Sequence, residues 1–256
     1  FPTRRSSDLQ VIFNQSDRIM ISHMVGKDKA AIYGVAYNLA MVLTFMLNAI
    51  NNSYVPWYYG KIKEGKMREN RTVSLGIAAL MALMLLGVIW FAPELIGLLA
   101  GEKYMEAIYV IPPVAISLLL LFYSQLFINV EFFYEEKKKL IGASVGAAVT
   151  NLVLNWICIR RFGFVAAAYT PLISYIIFAV ANNRAMKKIL MDRQLPDEGF
   201  DYRGLIGLLI AFTAVAYGGV AMYGAFLPRL AISLAVLAIL FVKRNALLVF
   251  YKRLKN

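Results

Sequence analysis

Val73–Pro93 reads VSLGIAALMALMLLGVIWFAP and carries no charged residue. A helix needs about 20 mostly apolar residues to cross the hydrocarbon of a bilayer, and this run meets that length. Seven further runs have the same character: Leu9–Val25, Ile32–Tyr54, Ala107–Val130, Leu140–Ile159, Phe164–Asn182, Leu205–Tyr223 and Leu227–Val242. The first is the most polar, with Asn14, Gln15, Asp17 and Arg18 inside it, and the last is the shortest. In lipid the backbone must satisfy its own hydrogen bonds, so uninterrupted apolar runs predict helices. The expected fold is therefore all-α, a polytopic membrane protein of about eight transmembrane helices.

Composition supports the same class. Hydrophobic residues make up 60% of the 256 and charged residues 16%, with a mean hydropathy of +0.63. A soluble domain runs nearer 45–50% apolar and about 25% charged. A soluble enzyme, a disulfide scaffold and a disordered chain are excluded on these figures. Cys158 and His23 are each alone, which removes an internal disulfide, a zinc site and a Ser-His-Asp triad. No catalytic residue and no metal ligand is assigned; Cys158 reads as a small buried hydrophobe and His23 as a helix-end polar residue.

The net charge of +12 is unusual beside so apolar a chain. With alternating spans, 18 of the 27 basic residues fall in loops on one side and six on the other. The remaining three are Arg18, inside a span, and Arg4 and Arg5 in the leader. The positive-inside rule places the richer side, and with it both termini, in the cytoplasm. Nucleic acid is not an expected partner, because the basic residues are spread over four loops and interleaved with acidic ones. Phe1–Leu9 is polar and reads as a non-native or truncated leader, similar to translated adapter sequence.

Polar groups inside spans carry most of the functional information, since each charge at the bilayer centre costs about 2.5–3.5 kcal/mol on insertion scales. Asn14, Asp17 and Arg18 can share a face, which must meet another helix or a watery cavity. Asp17 and Arg18 are adjacent and point about 100° apart, so their partners are expected on other helices. A structural ion pair and a cavity-lining charge pair both fit. Asn38, Asn48 and Asn52 fall in a broad stripe of the second span. Gln125 with Asn129, and Asn151 with Asn155, recur at i, i+4. Each pair suits interhelical hydrogen bonding, while four amide-bearing helices together suit a hydrated lumen.

Other features have structural readings. Gly142-Ala-Ser-Val-Gly146 predicts close helix packing, and Pro112-Pro113 and Pro171 predict helix starts or kinks. Tyr54, Trp57, Tyr58, Tyr59 and Trp90 fit interfacial belts, and Glu131, Glu135 and Glu136 a solvated helix end. Gly60-Lys-Ile-Lys-Glu-Gly-Lys66 has P-loop glycine and lysine spacing, but Met67 stands where Ser or Thr is needed and no strand precedes it.

Several stretches resemble one family when taken in order. They are Ser16-Asp-Arg-Ile-Met-Ile-Ser22, Tyr33-Gly-Val-Ala-Tyr-Asn38, Pro56 at a helix exit and Gly101-Glu-Lys-Tyr-Met-Glu-Ala107. Asn151-Leu-Val-Leu-Asn155 and Arg161-Phe-Gly-Phe-Val-Ala-Ala-Ala-Tyr169 follow. From about Leu9 to Leu240 the chain resembles the C-terminal portion of polysaccharide-biosynthesis flippases, of the multidrug/oligosaccharidyl-lipid/polysaccharide exporter superfamily. It departs where relatives often have Gly-Ala-Ala and it reads Val165-Ala-Ala-Ala.

The resemblance implies a MATE-like second six-helix lobe over residues 10–182, a cytoplasmic loop at 183–204, and an accessory helix pair with a basic tail at 205–256. It implies a bacterial inner-membrane transporter, not an enzyme, that moves an undecaprenyl-diphosphate-linked oligosaccharide by alternating access. The missing N-terminal lobe, a polysaccharide polymerase and glycosyltransferases are the implied partners, beside the bilayer and the lipid-linked glycan. No cofactor is expected, apart from a coupling ion, H+ or Na+. Arg18 is then the residue that attracts the diphosphate, Asp17 tunes it or couples an ion, and the Asn and Gln faces meet sugar hydroxyls. A cation-coupled multidrug or metabolite antiporter of the same superfamily is the alternative; a membrane-embedded glycosyltransferase lacks an extramembrane domain here.

Overall fold

The computed structural model describes residues 16–197 and 199–242. Asn14, Phe1–Leu9 and the basic tail from Lys243 lie outside the described residues. The helices in chain order are α1 (residues 16–24), α2 (Lys27–Lys63), α3 (Asn70–Trp90), α4 (Ala92–Leu99), α5 (Ile111–Phe133), α6 (Lys137–Phe162), α7 (Thr170–Asp192), α8 (Tyr202–Ala221) and α9 (Phe226–Val242). Short 3-10 turns at Met67–Glu69, Glu102–Tyr109 and Phe164–Ala168 join them. No strand occurs among the described residues. Six of the helical segments are long and apolar enough to cross a membrane, so the molecule is an all-α polytopic membrane protein.

α5 is the axis of the bundle. All of Ile111–Phe133 is buried except Gln125, Phe132 and Phe133, as expected of a helix that is apolar on every side. α2, α3, α7 and α8 pack around it, and α6 lies outermost against α7. On α6 the buried stripe is Ala147, Asn151, Asn155 and Ile159, spaced by one helical turn, while Val149, Val153 and Trp156 are exposed.

Connections alternate between two ends. At one end Arg71 pairs with Asp201 and Lys187 with Asp197, at 3.7 and 3.2 Å, and the basic loops gather there. At the opposite end Lys29 pairs with Glu106, and Arg229 pairs with Glu94 at 2.5 Å. Burial pushes the Glu94 carboxyl up, but the hydrogen bond from Arg229, the Glu94 backbone amide and the Arg229 charge together hold it below its usual value.

Several helix limits differ from the sequence reading. α2 does not exit at Pro56 but runs through it to Lys63; Pro56 lies on the exposed side with Asn52, so the carbonyl it frees faces outward. The run Val73–Pro93 breaks at Phe91, and Pro93 opens α4 instead. Pro112-Pro113 and Pro171 occupy first turns, where a missing N–H costs nothing. α7 continues past Asn182 to Asp192 because Met186, Ile189 and Leu190 still bury at helical spacing. The connection to α8 therefore begins at Arg193, not at 183.

Burial corrects three further readings. Tyr54 and Tyr58 are not belt residues: both are fully buried, stacked with ring centroids 5.4 Å apart. Glu131 is 1% exposed and so is no part of a solvated helix end, unlike Glu135 and Glu136. Gly142 and Gly146 face open space among the described residues, so no close packing within the chain explains them.

Candidate functional site

α1 and α2 form a hairpin whose turn requires glycine. Val25 and Gly26 both donate to the Ile21 carbonyl, and Gly26 closes the turn at φ 133°, where a side chain is strained. This register sets consecutive residues of α1 against consecutive residues of α2. Tyr33 donates to Asp17 Oδ2 at 3.1 Å, and the Arg18 guanidinium lies over Gly34, whose absent Cβ leaves the space.

A second tight turn supplies the rest. α6 ends at Phe162, Gly163 takes φ 79°, and the 3-10 turn delivers Thr170 as the first residue of α7. Asn155 and Thr170 are thereby brought together beside Asp17. The Asn155 amide donates to Asp17 Oδ1 at 2.5 Å and to Asn151 Oδ1 at 3.1 Å. Thr170 Oγ1 in turn lies 2.5 Å from Asn155 Oδ1 and 3.1 Å from the Ala167 carbonyl. The amide NH2 faces Asp17 and Asn151, because a flipped Asn155 would set its oxygen against two acceptors, Asp17 Oδ1 and Asn151 Oδ1.

Asp17 is 2% exposed, Asn151 1% and Asn155 0%. Among the described residues no Lys, Arg or His pairs with Asp17; its partners are neutral donors from α2 and α6. Beside the carboxylate lies a cavity of about 20 Å³, lined by Asp17, Tyr37, Asn151, Ser174 and Tyr175 among others. That volume holds one water or an ion of similar size.

Arg18 is half-buried. It has neither an acidic partner nor a hydrogen bond among the described residues, and its guanidinium lies over Gly34. Asn38, Asn48 and Asn52 are exposed on α2. They lie on one side with Phe45 and Pro56, opposite the buried Tyr33, Leu43, Leu47 and Tyr54.

The remaining amides are placed inside the bundle. Asn129 donates to Asn51 Oδ1 at 2.9 Å across α5 and α2, and Gln125 is half-buried on α5. The structure thus joins Asp17, Asn151 and Asn155 in one cluster, sets Arg18 and the α2 amides outside it, and keeps Gln125 and Asn129 apart from both. Sequence reasoning missed Tyr33, Thr170, Ser174 and Tyr175. Thr170 was hidden because the span was read from Phe164, which puts the hydroxyl inside an apolar helix instead of at its first residue.

A polar-faced hairpin with a buried carboxylate cluster, set in an all-α bundle of apolar helices, marks a polytopic membrane protein. The MatE family profile matches residues 2–157, and the chain belongs to that family, whose members are transporters within the superfamily named above. Protein 1 of the Lsg locus of Haemophilus influenzae is 23% identical over 133 residues, 51% of this chain and 33% of its own length. An uncharacterized membrane protein of the same organism is 26% identical over 91 residues, 36% of this chain and 21% of its own length. The matched stretches thus span a third or less of these curated relatives. No solved structure matches the chain.

Proposed function

We propose that this chain is part of a flippase that carries a lipid-linked oligosaccharide, with its diphosphate, across the bacterial inner membrane by alternating access. The observation that carries this reading is Arg18: a half-buried cation in a membrane hairpin, with no acidic partner among the described residues. Such a charge is costly in lipid unless it meets water or an anion. The exposed amides of Asn38, Asn48 and Asn52 extend from it along α2 and suit hydroxyl groups, which, like amides, both donate and accept. Amides facing hydrocarbon are unfavourable, so this side of α2 faces a wet cavity, closed by a further lobe of the same protein. Several weak contacts also suit a substrate that must be released. The basic loops lie in the cytoplasm on this reading.

The test is complementation of a null strain by the full-length gene carrying Arg18→Ala or Arg18→Glu. Surface glycan is expected to fall sharply at unchanged protein level, and undiminished glycan defeats the assignment.

One observation favours a second reading, a cation-coupled drug or metabolite antiporter. Asp17 is a buried carboxylate that, among the described residues, only neutral donors hold, next to a cavity of ion size. A proton or Na+ gradient driving export of organic cations, with glycan output unaffected, selects this alternative.

A further inference from the structure

We infer that α8, with the start of α9, is fastened to α3 at both ends and moves with it as one body, so that conformational change in this protein occurs elsewhere. α5 and α7 also touch α8, Tyr123 donating to the Leu205 carbonyl at 3.0 Å and Lys187 lying over the Tyr202 ring, but the buried polar contacts at the two ends of α8 gather on α3.

At the end bearing α4, the last carbonyls of α3 have no intrahelical donors. Side chains of the pair supply them. Tyr223 Oη donates to the Ile89 carbonyl at 3.0 Å, and Arg229 donates to the Trp90 carbonyl. Arg229 is 1% exposed and also grips Glu94 with both terminal nitrogens, at 3.1 and 2.5 Å. A guanidinium at a helix C-terminus is favoured by the dipole as well. Trp90 returns the contact, its Nε1 donating to the Val215 carbonyl of α8 at 3.2 Å. Its ring lies where a Cβ on Gly219 would stand, within 2.5 Å, so α8 and Trp90 touch with no side chain between them.

At the other end the α7–α8 connection is exposed from Arg193 to Asp197 but buries its last residues, Gly199 and Phe200. Asn70, the first residue of α3 and fully buried, accepts from Tyr54 Oη at 2.6 Å and donates to the Gly199 carbonyl at 2.9 Å. Phe200, 3% exposed, packs edge-on against Tyr58 and Phe127 at 6.0 and 5.2 Å. Asp201 caps α8 through the Gly204 amide and pairs with Arg71 of α3. Gly204 itself is pressed on the Leu75 side chain of α3, which lies 2.8 Å from the Cβ position. Two sets of polar contacts, about the length of a helix apart and centred on the buried Arg229 and Asn70, oppose both tilt and slide of α8 on α3. A pair that served only as a loosely attached accessory would need neither.

The experiment uses the full-length protein with Cys158→Ser and the pair Leu75→Cys with Gly204→Cys. Any phenotype that the gene restores in a null strain serves as the readout, so the result does not depend on the substrate. The disulfide is expected to form in membranes, and oxidised protein is expected to keep its activity within about twofold of the reduced form. Loss of activity on oxidation that returns on reduction overturns the inference, and so does failure of the disulfide to form. If Gly204→Cys impairs the reduced protein, the exposed pair Arg71→Cys with Asp201→Cys, joined by a short bifunctional thiol reagent, is judged by the same outcomes.

Discussion

Asn155 presents its amide NH2 to the Asp17 carboxylate at 2.5 Å, and Thr170 holds the other side of that amide by its oxygen. The orientation of one side chain on α6 thereby ties the first helix of the chain to the start of α7. No cation faces this carboxylate among the described residues; burying it so is costly, and the neutral donors offset only part of that cost.

Asp17→Asn should separate function from stability. The neutral isostere removes the desolvation cost while keeping the shape, so thermal unfolding in detergent is expected at the wild-type temperature or above. Transport by the full-length protein is expected to drop by about tenfold or more. Wild-type transport in this variant excludes a working role for the cluster.

Thr170→Val removes the hydroxyl that meets the Asn155 oxygen and leaves a buried acceptor unsatisfied. A loss of about 1–3 kcal/mol follows. Thr170→Ser keeps the hydroxyl and should stay near wild type. Chemical denaturation of the two variants side by side distinguishes this from simple loss of a methyl group, which Ser shares and Val does not.

Gly34→Ala places a methyl group 2.7 Å from the Arg18 guanidinium. The guanidinium is the free end of a flexible side chain and can swing aside, so little stability is lost. Its position is not kept. The account expects Gly34→Ala to reproduce the functional defect of Arg18→Ala at normal abundance, and a fully active Gly34→Ala protein contradicts the placement of Arg18 in a substrate path.

The Arg229–Glu94 pair predicts a pH dependence. The Glu94 carboxyl is held below its usual value in the folded protein, so its contribution is complete above the unfolded carboxylate pKa, about 4.3. It is lost as the pH falls below that through the folded value. Relative to wild type, Glu94→Gln should lower the unfolding temperature at pH 7 and make little difference near pH 3. A deficit equal at both pH values means the pair contributes nothing through its charge; Glu94 is a third exposed, so the effect is modest.

The bundle was legible in the sequence because apolar run length is decided by the bilayer and needs no tertiary information. Val73–Pro93 announces its helix by composition alone. The α2 and α7 ends were misjudged for the opposite reason. Residues 55–63 and 183–192 mix charge with buried Tyr58, Ile62, Met186 and Leu190, and only packing shows that these hold a helix together. Asp17 and Arg18 stood out as charges in an apolar span, and their divergence followed from adjacency. Thr170 and Tyr33 did not, since a hydroxyl in an apolar run carries no signal until a turn places it, Gly26 setting Tyr33 against the Asp17 carboxylate and Gly163 setting Thr170 against Asn155. Arg229 was read as one of the few charges on the sparse side; its burial depends on an elbow at Phe91 that the unbroken apolar run conceals.

The central claim is that Arg18 meets the diphosphate of a lipid-linked substrate. Its most direct test is translocation of a fluorescent short-chain polyprenyl-diphosphate sugar by the full-length protein in proteoliposomes. Arg18→Lys keeps a charge and should retain part of the rate, whereas Arg18→Glu should slow translocation by about a hundredfold, as loss of a charge-assisted phosphate contact implies. Equal rates for wild type and Arg18→Glu contradict the account.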